Sequence, residues 1–241
     1  MNRLSDFQGH PVEQLFLEVQ MGQVLGASIV WQSAYSDSVT TTEKMIWTGT
    51  GDYVYPVTAQ QLDVASDDNN DTQVIYISGL DANWNEVSET ITLTGTTSVQ
   101  TVNSYIRVNR AHNMGMIDLQ GEVTGLNGLD AIFQIDSEMQ KTSIASYSVP
   151  AGKTAYLFQG NASTDKLDGV DFKFQIRQFG QRFIVEEHFG LYQSAYEASR
   201  PFMPIPAKSD LKVVGKSSQS TVPVTAQFGL LLLDDDQWKN G

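Results

Sequence analysis

The sequence predicts an all-β protein built as two antiparallel β-sandwiches of jelly-roll type, with one large sandwich as the alternative arrangement. Three observations carry this. Residues 73–95 read as a hairpin: two runs rich in β-branched and aromatic residues flank Gly79-Leu-Asp-Ala-Asn-Trp-Asn-Glu, a connector of turn formers. Apolar and polar residues alternate in several runs, as in Thr90-Ile-Thr-Leu-Thr94, which places one face of a strand on a core and the other in water. Short apolar runs are separated throughout by Gly, Pro, Asn and Asp, the punctuation of a strand-rich chain.

Taken in order, residues 1–22 are ambiguous. Leu15, Phe16 and Val19 have helical spacing, but Gly9, Pro11 and Gly22 crowd them. The segment reads either as an arm docking on another subunit or as a short helix or edge strand of its own chain. Gly26–Trp31 is a strand, followed by a Ser/Thr-rich loop over 32–44. Met45-Ile-Trp-Thr then runs into a corner of Gly49, Gly51 and Pro56. Trp47, Tyr53 and Tyr55 there, with Trp84 of the hairpin connector, are candidates for an aromatic glycan platform; such rings more often fill a sandwich edge. In the hairpin itself Val74, Ile75, Tyr76 and Ile77 are consecutive apolar residues, so that strand is expected at the centre of a sheet, covered on both faces. Tyr105, Ile106 and Val108 mark another strand, bearing Arg107 and Arg110.

Gly115, Gly121, Gly125 and Gly128 fall close together and suggest the boundary between two halves, 23–118 and 119–241. In the second half Tyr147–Gln159 reads as strand, turn and strand. Phe172, Phe174 and Ile176 alternate with Lys173, Gln175 and Arg177. Arg182–His188 follows a turn at Gly180. Pro201, Pro204 and Pro206 exclude a central strand and predict an extended connection. Asp210–Val214 and Ala226–Leu233 are the last strands, with Phe228-Gly-Leu-Leu-Leu-Leu buried on both faces.

Bulk properties exclude several classes of function. The 241 residues carry a formal net charge of −13, from 15 Lys and Arg against 28 Asp and Glu. Nucleic-acid affinity comes mostly from cations meeting phosphates, so DNA and RNA are poor partners for such a surface. No cysteine is present, which removes disulfides, thiolate zinc sites and Cys nucleophiles. No stretch reaches the roughly 18 apolar residues a membrane helix needs, and residues 1–10 hold no apolar signal core. Neither membrane insertion nor export is expected.

Chemistry-bearing motifs are sparse. His10, His112 and His188 are not paired at metal-ligand spacing. Glu186-Glu187-His188 is the one dense titratable run, and only Glu186 and His188 share a strand face; an acid/base role competes with a solvated face. The acidic loop 63–72 offers Asp67, Asn69 and Asp71 as weak calcium candidates. An EF-hand register from Asp67 puts Thr72 where glycine belongs and Ser78 where the bidentate Glu belongs, so the motif fails. No cofactor motif and no catalytic constellation are found, and a non-enzymatic role is expected.

Several phrases of the chain resemble structural proteins of tailed bacteriophages. They are Gly26-Ala-Ser-Ile-Val, Val74 through Glu86, Glu89-Thr-Ile-Thr-Leu-Thr-Gly-Thr-Thr, Tyr105-Ile-Arg-Val-Asn-Arg-Ala, Val149-Pro-Ala-Gly-Lys-Thr-Ala-Tyr-Leu, Ile176-Arg-Gln-Phe-Gly, Pro206-Ala-Lys-Ser-Asp-Leu and the closing Phe-Gly-Leu-Leu-Leu-Leu-Asp. The resemblance implies a virion protein, made in the bacterial cytoplasm and placed on the outer surface of the particle. Head decoration, neck or collar, and tail attachment are the implied positions. It further implies a homo-oligomer, with a trimer expected, bound to other capsid, neck or tail proteins. It names no catalytic residue. A carbohydrate- or host-receptor-binding module of a phage fibre, recognising a host-surface glycan, is the alternative.

Overall fold

The computed structural model describes residues 12–49, 51–164, 169–192 and 194–238, with side chains at all of these except 12–14 and 194–202. The fold is all-β, as the alternation predicts, and among the described residues every strand pairing is antiparallel.

One sheet is ordered β1 (Ala27–Val39), β16 (Val222–Asp234), β11 (Lys153–Thr164), β14 (Ser194–Ile205). Facing it lies β10 (Ser146–Ser148), β15 (Ser209–Ser217), β12 (Val170–Gln178), β13 (Ile184–Leu191), with β2 (Lys44–Met45) also paired to β15. Alternate residues of both sheets meet in one core: Ala34 from β1, Leu157 from β11, Phe172 and Phe174 from β12, Leu211 from β15, and Phe228, Leu230 and Leu232 from β16. These form the first unit.

Between β2 and β10 the chain builds a second unit. One of its sheets is β6 (Val99–Gln100), β3 (Asp63–Ser66), β8 (Val123–Asn127), β9 (Asp130–Ile135); the other is β5 (Glu86–Thr92), β4 (Val74–Leu80), β7 (Arg107–Asn113). Their shared core includes Leu62, Ile75, Ile77, Tyr105, Val123 and Phe133.

Strand pairing therefore does not follow the expected division after residue 118. β8 and β9 complete the sheet that β3 begins, and β1 pairs with β16 along most of its length. Two of the glycines that suggested a boundary, Gly121 and Gly125, serve close packing, and Gly128 takes a turn at φ 63° with open space around it. A Cβ on Gly125 would lie 2.1 Å from the Phe133 ring, and one on Gly121 2.1 Å from Asp67 Oδ1.

The helix α1 (Val12–Gln20) lies on the outer face of the first sheet. Phe16 and Val19 pack there with Phe158, Leu231 and Leu233, joined by Trp238 of the four-residue α2 (Asp235–Trp238). Of the expected arm at 1–22, residues 12–20 are thus a helix on their own chain; residues 1–11 lie outside the described chain. Leu231 faces α1 while Leu230 and Leu232 face the core, so the apolar run of β16 is buried on both faces as its sequence demands.

Two expectations need correction. β1 runs on through Gln32-Ser-Ala-Tyr-Ser-Asp-Ser-Val39, read above as loop. Its small residues Ala34 and Ser36 are buried against β16, and sheet pairing outweighs their weak strand propensity. The proline-rich stretch from 200 is part of β14 rather than a free connection. It is an edge strand, and the register with β11 shifts between Leu157↔Met203 and Gln159↔Ser199. Edge and bulge positions are where a strand tolerates proline.

Candidate functional site

The two units meet through polar side chains held by the ends of β7, β10 and β15. Asp210 enters β15 with its carboxylate wholly buried. Arg107, at the start of β7, grips it with two parallel bonds: Nε to Oδ1 at 2.7 Å and Nη2 to Oδ2 at 2.8 Å. Its remaining nitrogen, Nη1, donates to the carbonyls of Pro56 and Ile106, each at 2.6 Å. Arg177 Nε donates to Asp210 Oδ2 at 3.0 Å, and the Ser148 hydroxyl to Oδ1 at 2.6 Å. Both carboxylate oxygens are thus committed to protein donors. Such an arrangement holds parts together; no acceptor is left to take a proton from a substrate.

Asn109 adds a second stitch. β7 carries one extra residue here, since Ser78 pairs with Arg110 and Gly79 with Val108. The bulge turns Asn109 toward β10. Its amide donates to Ser148 O at 3.0 Å and accepts from Ser148 N–H at 2.9 Å, while Gln32 Nε2 donates to Asn109 O at 2.9 Å.

The aromatic residues singled out from the sequence converge on this junction. Trp47, Tyr53, Tyr55 and Phe183 form a ladder of edge-on and tilted rings with centroids 4.8–5.4 Å apart. The Arg107 guanidinium lies 5.1 Å from both the Tyr55 and Trp84 rings, and Arg177 4.3 Å from Phe183. Burial pushes the Tyr53 and Tyr55 phenols well above their ordinary range. It pulls the Lys212 ammonium down, with help from Arg177. Trp47 is 3% exposed and Trp84 2%; Trp47 packs edge-on against Tyr53 and donates its indole N–H to Gly51 O, while Trp84 covers the Arg107 guanidinium. Trp84 is held at φ 71° to put its ring there, a backbone state unfavourable for a residue with a Cβ. Trp47 and Trp84 offer no face for a sugar.

The calcium candidates are likewise turned to internal use. Asp71 is buried and accepts from the Ser66 hydroxyl at 2.6 Å and the N–H groups of Gln120 and Gly121 at 2.8 and 3.0 Å. Burial alone would raise its carboxyl; these donors outweigh that and hold it below the ordinary carboxylate range. Asp67 accepts from Glu122 N–H, and Asn69 from the Thr96 hydroxyl. No group of three metal-ligating side chains occurs among the described residues.

Of the histidines, His188 faces Asp171 at 3.8 Å on the surface. Glu186 is the extra residue of a bulge between β12 and β13, which separates it from the pairing that holds His188. His112 packs against Tyr76 with the rings tilted by 48°, and burial followed by the nearby Arg110 lowers its basicity. His10 lies outside the described chain.

A cleft of about 350 Å³ opens on the same junction. One wall is the free edge of β1 from Ile29 to Gln32; the other is the outer face of the β5-β4-β7 sheet. Trp31, Tyr76 and Arg110 line it, and none was singled out as a site residue from sequence. The available signal was the position of Tyr76 between Ile75 and Ile77, which puts it on the face away from the core. Strand β4 is central, as expected, but only one of its faces is covered.

No protein-family model matches the chain, and no curated protein matches it. The resemblance to tailed-phage proteins thus gains no support from either comparison. Among solved structures, the chain overlays on infectious bursal disease virus, Gx strain, with TM-score 0.29 and 9% identity over 87% of this chain and 72% of that one. The VP2 subviral particle of the same virus gives TM-score 0.22 and 8% identity over 88% and 73%. Overlays at these scores fix neither a shared fold nor a shared function.

Proposed function

We propose that this chain is a structural component on the exterior of a tailed-phage particle, at head, neck or tail attachment, acting by protein–protein assembly and without turnover. In this reading its two units are jelly-roll-like sandwiches, the second inserted in the first, and the chain works as a homotrimer alongside other particle proteins. The observation that carries the assembly role is α1. Its inner face is packed on its own sheet, yet Leu17 and Met21 on the opposite side, with Leu25 just beyond, are each more than half exposed. A helix apolar on both sides calls for a cover on both sides. The resemblance of its sequence phrases to phage structural proteins, and a net charge of −13 unsuited to packaged DNA, favour a virion exterior.

Light scattering on the eluting protein tests this. Wild type is expected as a closed symmetric oligomer, and Leu17→Glu/Met21→Glu as a folded monomer. A wild type that stays monomeric at concentrations where the variant also does would refute the assembly role.

A further inference from the structure

We propose that the cleft between β1 and the β5-β4-β7 sheet binds a saccharide bearing a carboxylate. The inference does not depend on the particle role, and it rests on residues other than the buried rings of Trp47 and Trp84.

The cleft has the parts such a ligand needs. Trp31 is 49% exposed and lines it with an indole whose orientation is already set. Phe158 meets the ring edge-on at 5.3 Å and 88°. Gly229 pairs with Trp31 across the sheet and leaves room for both rings, since a Cβ there would lie 2.5 Å from Phe158 and 3.0 Å from Trp31. A fixed, half-exposed indole is a stacking face for the C–H side of a pyranose.

The opposite wall carries hydroxyls and one unengaged cation. Tyr76 and Ser78 of β4 and Ser88 of β5 line it, all on the side away from the core. Arg110 is exposed beside them, and among the described residues its guanidinium makes no hydrogen bond and no ion pair. The Tyr76 hydroxyl makes no hydrogen bond among them either. Arg107 and Arg177 are both paired with Asp210, whereas Arg110 lines the cleft with its guanidinium uncommitted, in a chain of net charge −13. Its planar fork fits a carboxylate through two parallel bonds.

Backbone supplies the rest. Tyr35 N–H points off the sheet to the Ser143 hydroxyl at 2.8 Å. Residues two and four earlier share that orientation, so the N–H and C=O groups of Ser33 and Trp31 also point away from β16. Those of Trp31 border the cleft and can bond sugar hydroxyls. Glu86 stands on the same wall, tied to Lys153 at 2.8 Å. With the overall acidity it disfavours a polyanion such as nucleic acid, while a single carboxylate reaches Arg110.

Isothermal titration with sialyllactose and a trigalacturonate, set against lactose and maltotriose, tests the assignment. At least one acidic sugar is expected to bind with a dissociation constant of about 1 mM or tighter, and its neutral counterpart about tenfold more weakly. Arg110→Gln should remove that preference, Arg110→Lys should retain part of it, and Trp31→Ala should weaken both classes. Arg110 is exposed and unpaired, so its variants report binding with unchanged melting temperature. No heat from either acidic sugar with wild type, or an affinity unchanged by Arg110→Gln, would overturn the proposal.

Discussion

Asp210→Ala is the sharpest probe of how the two units are held together. The substitution removes an acceptor engaged by four donors: two on Arg107, one on Arg177 and one on Ser148. The consequences for the two arginines differ. The Arg107 side chain is 2% exposed, so it is left as a buried cation with only the carbonyls of Pro56 and Ile106; that of Arg177 is 21% exposed and can turn to water. Breaking a buried pair from one side costs about 3–5 kcal/mol, and with one cation truly stranded about 4 kcal/mol is expected. Arg107→Met should cost less, about 2–3 kcal/mol, because Asp210 keeps Arg177 and Ser148. The double variant should then be more stable than the two losses added, with a coupling above about 1 kcal/mol. Urea unfolding followed by circular dichroism gives the free energies, and tryptophan fluorescence reports on Trp84, which lies against Arg107. A loss below about 1 kcal/mol for Asp210→Ala, or strict additivity, would refute the view that this pair clamps the junction.

Two further perturbations test other parts of the structure. Gly79→Ala would put a Cβ 2.0 Å from the carbonyl oxygen of Arg107; since backbone cannot move aside as a side chain does, a loss of about 1–3 kcal/mol is expected, read as a fall in melting temperature by calorimetry. Asp71 has its carboxyl held below the ordinary value of 3.8, so its contribution is present above that pH and is lost as pH falls through the lower folded value. Asp71→Asn should cost about 1–3 kcal/mol at neutral pH and flatten the acid limb of the stability–pH curve, measured by urea midpoints between about pH 2 and 7; a variant with the wild-type acid limb would contradict this.

Much of the fold was legible because side-chain alternation reports directly on burial. The hairpin of β4 and β5, the two-sided burial of β16 and the half-buried β12 all follow from local pattern. What escaped was long-range. Nothing near residue 32 announces that Ser and Gln will be drawn into a strand by a partner two hundred positions away, and nothing near Gly121 or Gly125 separates a linker from a close-packed turn. The aromatic group was found as a group, with edge filling and a glycan platform both open, and the burial of Trp47 and Trp84 goes with edge filling. Rings that attract a sugar also attract a guanidinium, and only the position of Arg107 in space decides between them. Asp210 and Arg107 were each visible as single charges beside apolar neighbours, yet their pairing spans 103 positions. Tyr76 was expected on a strand covered on both faces and Trp31 only at the end of another, since the local run gives hydrophobicity and parity but not which face stays open.

The pairing of β1 with β16 also sets an order for biosynthesis. Val39 is paired with Val222, so the first strand leaves the ribosome long before its neighbour exists. The segment that makes β3 to β9 meanwhile emerges complete and can close its own core. A growing chain therefore carries a finished inner body and an orphan edge, and must keep that edge from sister chains until the last strand arrives. Ser and Gln in β1, placed where Val or Ile would suit a sheet better, make the waiting strand less adhesive.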